Sequence, residues 1–258
     1  MTHSTRILFV AGEVEPFAKV SDTAMLVRTL PEQLQEKGDF EMRIMMPRYG
    51  TINERKNRLH EVIRLSGTNI PMGDETETLK VKVASIPGIR LQVYFMDNIH
   101  FFKRKGLHTD KQGQLFEDNA KRALFFARSV IETLRKLSWK PDVVHAFGWI
   151  SGLLPLLLQT EYAGEELFED TKIIYTPDGV DADARLTHDL IDTMNLSANG
   201  EATGLELSEI GLKYADAQVF PPSLVPPSVD AVHFSTEIEE MTQQAITLYD
   251  QVLNTVPV

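Results

Sequence analysis

The side chains with chemistry to offer stand where apolar runs give way to polar loops. Glu13 and Lys19 lie in the loop between the run Ile7-Leu8-Phe9-Val10 and a helix-periodic segment. Tyr49 follows the run from Glu41 to Met46, and His145 and Trp149 bracket the end of another, Asp142 to Ala146. If these runs are parallel strands, each loop sits at the carboxyl edge of a sheet. The first of them also lies beside the amino end of the next helix, where partial positive charge suits an anionic ligand. Asp22 works against that use, because a carboxylate there brings like charge and caps the helix; we read it as an N-cap. Tyr49 at a strand end serves either a ligand or packing, and packing is the commoner role for an aromatic. His145 is likewise either a ligand group or a hydrogen-bonded structural residue, the latter being the commoner. The seven histidines are scattered without zinc-type spacing, and no Gly-x-Gly-x-x-Gly occurs, so we expect no metal and no bound cofactor.

The elements that must position these groups are legible in outline. Leu26, Val27, Leu30 and Leu34 fall on one helical face, and Lys37-Gly38 closes that helix. Strand, helix and strand in succession give a parallel crossover. Three runs, His60 to Leu65, Leu79 to Ser85 and Leu91 to Met96, are separated by turn-formers at Pro71-Met-Gly-Asp74 and Pro87-Gly88, which argues for antiparallel pairing there. Lys103-Arg104-Lys105 reads as a solvated basic turn. Glu117 to Leu137 is the clearest helix, with Ala120, Ala123, Leu124, Ala127, Val130, Ile131 and Leu134 inward and Lys121, Arg128, Glu132 and Arg135 elsewhere. A strand at Lys172 to Thr176, a turn at Asp178-Gly179, a loop with a short helix near His188 to Met194, a further helix from Leu207 and a strand from Ala217 to Phe220 follow. Thr236 to Asn254 is an amphipathic helix capped by Ser235 or Thr236. Together these predict an α/β chain, a doubly wound and mostly parallel sheet with helices on both faces, plus a C-terminal amphipathic helix. We divide it into a domain over 1–235 and a helix over 236–258 that packs on it or on a second copy.

Composition narrows the partners. With 258 residues, 43% hydrophobic and 24% charged, the chain is of ordinary globular make-up and long enough for one large α/β domain. A formal net charge of −11 argues against nucleic acid or an anionic membrane, both of which need a basic footprint. A neutral sugar polymer is untouched by that argument. No cysteine is present, no segment is apolar for long enough to cross a bilayer, and the amino-terminal residues carry no leader-like run, so a cytoplasmic protein is the expectation.

Several segments carry a family likeness. Ala11-Gly-Glu13-Val-Glu-Pro16-Phe17-Ala-Lys19 resembles the opening of bacterial glycogen and plant starch synthases, where Ala-x-Glu-x-x-Pro-Phe/Tyr-x-Lys runs into x-Gly-Gly-Leu-x-Asp-Val. Pro47-Arg48-Tyr49-Gly50, Val93-Tyr-Phe95-Met-Asp97-Asn98, Asp118-Asn119 with Arg122, and Tyr214-Ala215-Asp216 resemble later signatures in the same order. Pro141-Asp142-Val-Val-His145-Ala-Phe147-Gly148-Trp149 resembles Pro-Asp-x-x-His-x-His-Asp-Trp. The departures fall at the ligand end of each loop. Ser21-Asp22 replace the two glycines that let sugar-nucleotide phosphates approach the backbone, where the family's Lys meets their charge. Phe147 replaces a His associated with the donor sugar, Gly148 an Asp, and Pro177-Asp178-Gly179 stand for Ile-His-Asn. A phenyl ring neither donates nor accepts a hydrogen bond, so Phe147 holds no sugar hydroxyl.

The resemblance implies a Rossmann-like half of a two-domain GT-B glucosyltransferase, spanning roughly Arg6 to Phe220. It implies Glu13, Lys19, Tyr49, His145 and Trp149 as ligand-binding candidates, with no residue assigned a catalytic role. The expected function is a glycogen/starch-synthase-like domain, not catalytic alone, that binds α-glucan or regulates a partner. One alternative is an active glucosyltransferase using ADP-glucose or UDP-glucose, completed by a chain that supplies the C-terminal GT-B half; another is a protein-interaction module. Partners in view are therefore α-glucan, a second copy, or that complementary chain.

Overall fold

The computed structural model describes residues 4–197, 200–226, 228 and 231–254; Asn199, Pro227 and 255–258 of the terminal-helix assignment lie outside them. The strands are β1 (Thr5–Ala11), β2 (Phe40–Pro47), β3 (His60–Glu61), β4 (Thr68–Met72), β5 (Glu75–Ser85), β6 (Gln92–Asp97), β7 (Val143–Phe147), β8 (Lys172–Thr176) and β9 (Ala217–Gln218). The helices are α1 (Thr23–Lys37), α2 (Asn119–Leu137), α3 (Leu153–Gln159), α4 (His188–Met194), α5 (Leu207–Tyr214) and α6 (Ile238–Asn254), with a 3-10 turn at Trp149–Ser151. The sheet runs β3-β5-β6-β2-β1-β7-β8-β9, with β4 paired to β5. From β6 to β9 neighbours are parallel, and β5 pairs antiparallel with β3, β4 and β6. This is the Rossmann-like α/β arrangement.

Register assigns the helices to faces. Phe9 pairs with Ile44 and with His145, and Ile44 with Val93, so these residues share one face. Met96, three residues beyond Val93, lies on the other. His145 meets Tyr249 of α6, whereas Met96 meets Thr133 of α2 at 3.5 Å, so α6 covers the first face and α2 the second. The central strands are buried on both sides: Ile7 to Val10 and Val143 to Ala146 are wholly enclosed, as a parallel sheet with helices on both faces requires. Each such aliphatic side chain contributes about 1.5–3 kcal/mol of burial.

Several local expectations need correction. Asp22 occupies the cap position of α1, but its side chain makes no capping bond; Met25 N–H goes instead to the Asp22 carbonyl at 3.1 Å. The run from His60 yields only a two-residue strand, because Val62 to Ser66 curl into a turn closed by Leu65 N–H to Val62 O at 3.0 Å. Pro71 and Met72 belong to β4, an outer strand where proline's missing N–H is tolerated, and the turn is Gly73-Asp74 alone. Arg128, expected away from the core, is buried. Its guanidinium donates to Pro71 O at 2.8 Å and to Glu161 at 3.2 Å, so the charge is paired inside. Arg104 also leaves the solvated turn assigned to it: it grips Asp118 through two bonds of 2.6 Å and lies over the Phe116 ring. At the start of α6 Ser235 supplies the capping contacts, accepting from Glu237 N–H at 3.1 Å and donating to Glu240 at 2.7 Å. Among the described residues no helix is long and apolar enough to cross a membrane.

Candidate functional site

The chain leaves β1 toward β2 on one side and leaves β7 toward β8 on the other, so the topological switch point lies between the carboxyl ends of β1 and β7. A crevice opens at such a point in an open α/β sheet. Here the loop after β1, with Gly12 and Glu13, meets the loop after β7, with Gly148 to Ile150. They approach closely: a Cβ on Gly12 would stand 2.9 Å from Ile150 and 3.5 Å from the Tyr49 hydroxyl.

Glu13 is 5% exposed, and its carboxylate is spoken for. It accepts the backbone N–H groups of Val20 and Ser21, the latter at 2.9 Å, and the Ser21 hydroxyl at 2.8 Å. A carboxylate of this chain therefore fills the amide cradle ahead of α1, the kind of place where a ligand anion binds. Lys19 points its ammonium outward, about half exposed, with a 3.4 Å contact to Glu15 that is worth little at a surface. Tyr49 lies beneath Gly12, buried, with its ring edge-on to Phe102; burial holds its hydroxyl well above the ordinary phenol range.

His145 does not reach the crevice. It is fully enclosed, with Nδ1 against the Tyr249 hydroxyl and Nε2 against the Thr176 hydroxyl, both at 2.9 Å, and its ring stacks on Phe147 at 4.0 Å between centroids. Burial lowers its pKa to about 3, so it is neutral, with one nitrogen donating and the other accepting. The Trp149 indole is buried beside His108, and it is the Trp149 backbone N–H that meets the crevice.

That N–H donates to Asp178 Oδ2 at 3.3 Å, and Val180 N–H donates to Asp178 Oδ1 at 3.2 Å. Read from sequence as part of a turn, Asp178 does close one, yet its carboxyl also lies over Gly148. Gly148 has φ 74° and ψ 171°, a region that only glycine occupies without strain, and a Cβ there would fall inside the Asp178 carboxyl. Burial, with Glu13 nearby, raises Asp178 to about 7. His108, half-buried on the facing loop, is lowered by burial.

A buried pair behind the crevice fixes its rim. Asn119 donates to His108 O at 3.0 Å and Ala182 O at 2.9 Å, and accepts from Arg122 Nη1 at 2.7 Å. Arg122, wholly buried, also donates to Phe101 O at 2.9 Å and stacks over Phe116. This helix start packs in the core, and it also ties the 98–118 and 177–186 loops together. The signal for Asp178 was a carboxylate two residues past a strand end at the sheet edge where ligands bind. Among the described residues no group of three or more His, Asp or Glu could hold a metal.

Comparison with known proteins yields a consistent picture. A family model described as starch synthase catalytic domain matches residues 6–219. Glycogen synthase from Chlorobium limicola is 48% identical over 172 residues, 66% of this chain and 35% of the relative. Glycogen synthase from Chlorobaculum parvum is 41% identical over 217 residues, 82% of this chain and 44% of the relative. The chain thus spans less than half the length of these relatives. The catalytic domain of starch synthase IV from Arabidopsis thaliana, solved with ADP and acarbose, superposes over 96% of this chain and 50% of its own, with TM-score 0.65 and 19% identity. That likeness speaks for the fold.

Proposed function

The chain belongs to the starch and glycogen synthase catalytic-domain family, and from that premise we propose that it engages α-glucan at the β1/β7 crevice and does not by itself transfer glucose from a sugar nucleotide. The observation that carries this is the pair of departures at the loop ends, Ser21-Asp22 in place of two glycines and Phe147 in place of a histidine, with the Glu13 carboxylate seated on the Val20 and Ser21 amides. An incoming diphosphate would have to displace a bonded carboxylate and meet its charge. A glucan is neutral and asks only for hydrogen-bond partners. The starch synthase relative was solved with one ligand of each kind, a nucleotide and the sugar-like acarbose; of the two, the present crevice suits the second. The role that follows is acceptor binding or regulation of α-glucan synthesis.

One observation favours a second reading. Lys19 is about half exposed and weakly held, so its charge remains available to a diphosphate if another chain closes over the crevice and completes a glucosyltransferase using ADP-glucose or UDP-glucose. Calorimetric titration separates the readings. Saturable maltoheptaose binding with no ADP-glucose binding is the expected result. ADP-glucose binding that weakens in Lys19→Ala would replace the first reading with the second, and silence from both ligands would leave a protein-interaction module.

A further inference from the structure

We propose that Asp178 sets the ligand class of the crevice, admitting a neutral polyhydroxyl chain and turning away a polyanion; this rests on the reading that the crevice binds glucan. The argument begins with the volume over Gly148. That position has no side chain, and its backbone geometry admits none without strain, so the space at the end of β7 is free for a neighbouring residue. The Asp178 carboxyl, arriving from the end of β8, takes it. Two backbone bonds from different loops, Trp149 N–H and Val180 N–H, pin the carboxyl there, so its position is built in and not a rotamer accident.

Both oxygens keep capacity to spare. The carboxyl accepts backbone N–H groups with lone-pair capacity remaining, and the residue is partly exposed, so a ligand hydroxyl has an acceptor to bind. Among the described residues it couples to Glu13 from the β1 loop, the Tyr49 hydroxyl from the β2 end and the Tyr175 hydroxyl of β8, while the cation of Arg122 acts on Tyr49 and His108 behind the rim. Glu13 and Asp178 thus give the crevice two carboxyls. Asp178 can accept from a ligand hydroxyl while Glu13 stays bonded to the Val20 and Ser21 amides, whereas a diphosphate meets like charge from both in a partly desolvated site.

The test pairs the wild type with Asp178→Asn at pH 8, where the carboxyl is ionised, each titrated with maltoheptaose and with ADP-glucose. Thermal unfolding of both proteins establishes that the variant is folded, and Glu15→Gln controls for loss of a loop charge outside the crevice. The expected result is maltoheptaose binding weakened about fivefold or more in Asp178→Asn, together with ADP-glucose binding that the wild type lacks. If the wild type binds maltoheptaose and Asp178→Asn matches it on both ligands, the assignment of Asp178 is overturned while the glucan reading stands. If the wild type binds no maltoheptaose, the glucan reading fails, and the ADP-glucose arm decides for Asp178 alone: a gain in the variant sustains its role in excluding anions, and no gain overturns it.

Discussion

His145 on β7 and Asp178 just past β8 are neighbouring titratable groups that burial drives the same way, toward neutrality, and they end in opposite situations. His145 has both ring nitrogens partnered and no exposure, sealed by α6 through Tyr249. Asp178 is pinned by two amides but stays partly open beside Glu13. A shifted pKa therefore does not by itself nominate a functional group. What separates the two is whether hydrogen-bonding capacity remains once the protein has taken its share.

The comparison breaks most visibly if His145 is removed. His145→Ala leaves a cavity and strands two buried hydroxyls, so we expect a loss of about 3–5 kcal/mol in urea unfolding with the crevice otherwise intact. A variant of unchanged stability that lost ligand binding would return His145 to the site. The pH dependence sharpens the contrast further. His145 falls from the ordinary 6.5 to about 3 on folding, so the unfolded chain binds the extra proton and stability drops as pH falls through that window. Asp178 rises from 3.8 to about 7, so the folded chain binds the extra proton and stability drops as pH rises through its own window. Between about pH 4 and 6.5 the two slopes oppose. Asp178→Asn should unmask the histidine: its stability relative to wild type should be level below pH 3.8 and then climb toward pH 7, by up to about 1.4 kcal/mol per unit and about 2 kcal/mol in all after allowing for partial exposure. A difference that stays flat across that range would show that the carboxyl is not held neutral. The smallest effect belongs to Lys19. Lys19→Ala should change unfolding stability by less than about 0.5 kcal/mol, since its half-exposed ammonium pairs with Glu15 at the surface; a larger loss would mean that the ammonium has a structural partner.

Much of the scaffold was readable because period and burial agree in it. The inward faces of α1 and α2 were set by residues three and four apart, and strands β1, β2, β7 and β8 by short runs rich in apolar residues. Where reading failed, tertiary partners overrode local pattern. Arg128 looks like a surface residue until Glu161 and the Pro71 carbonyl come to meet it, and His60 to Leu65 looks like a strand until Val62 to Ser66 turn. The site was less legible for the same reason. Nothing in the local sequence says that Tyr249 will close over His145, or that the volume left by Gly148 will be filled from the next strand. Both facts join segments that are distant along the chain, 104 residues apart in the first case and on adjacent strands in the second.

The bond between His145 and Tyr249 also has a temporal side. A ribosome adds roughly 5–20 residues per second, so the 104 residues between the two partners take on the order of 5–20 s to make. Throughout that interval β7 can pair with β1, yet the sheet face destined for α6 stays uncovered, with an imidazole between Phe9 and Phe147 and no phenol to meet it. The nascent chain thus carries a sticky surface whose natural cover has not been synthesised, a surface that a chaperone or a neighbouring nascent chain can reach before α6 does.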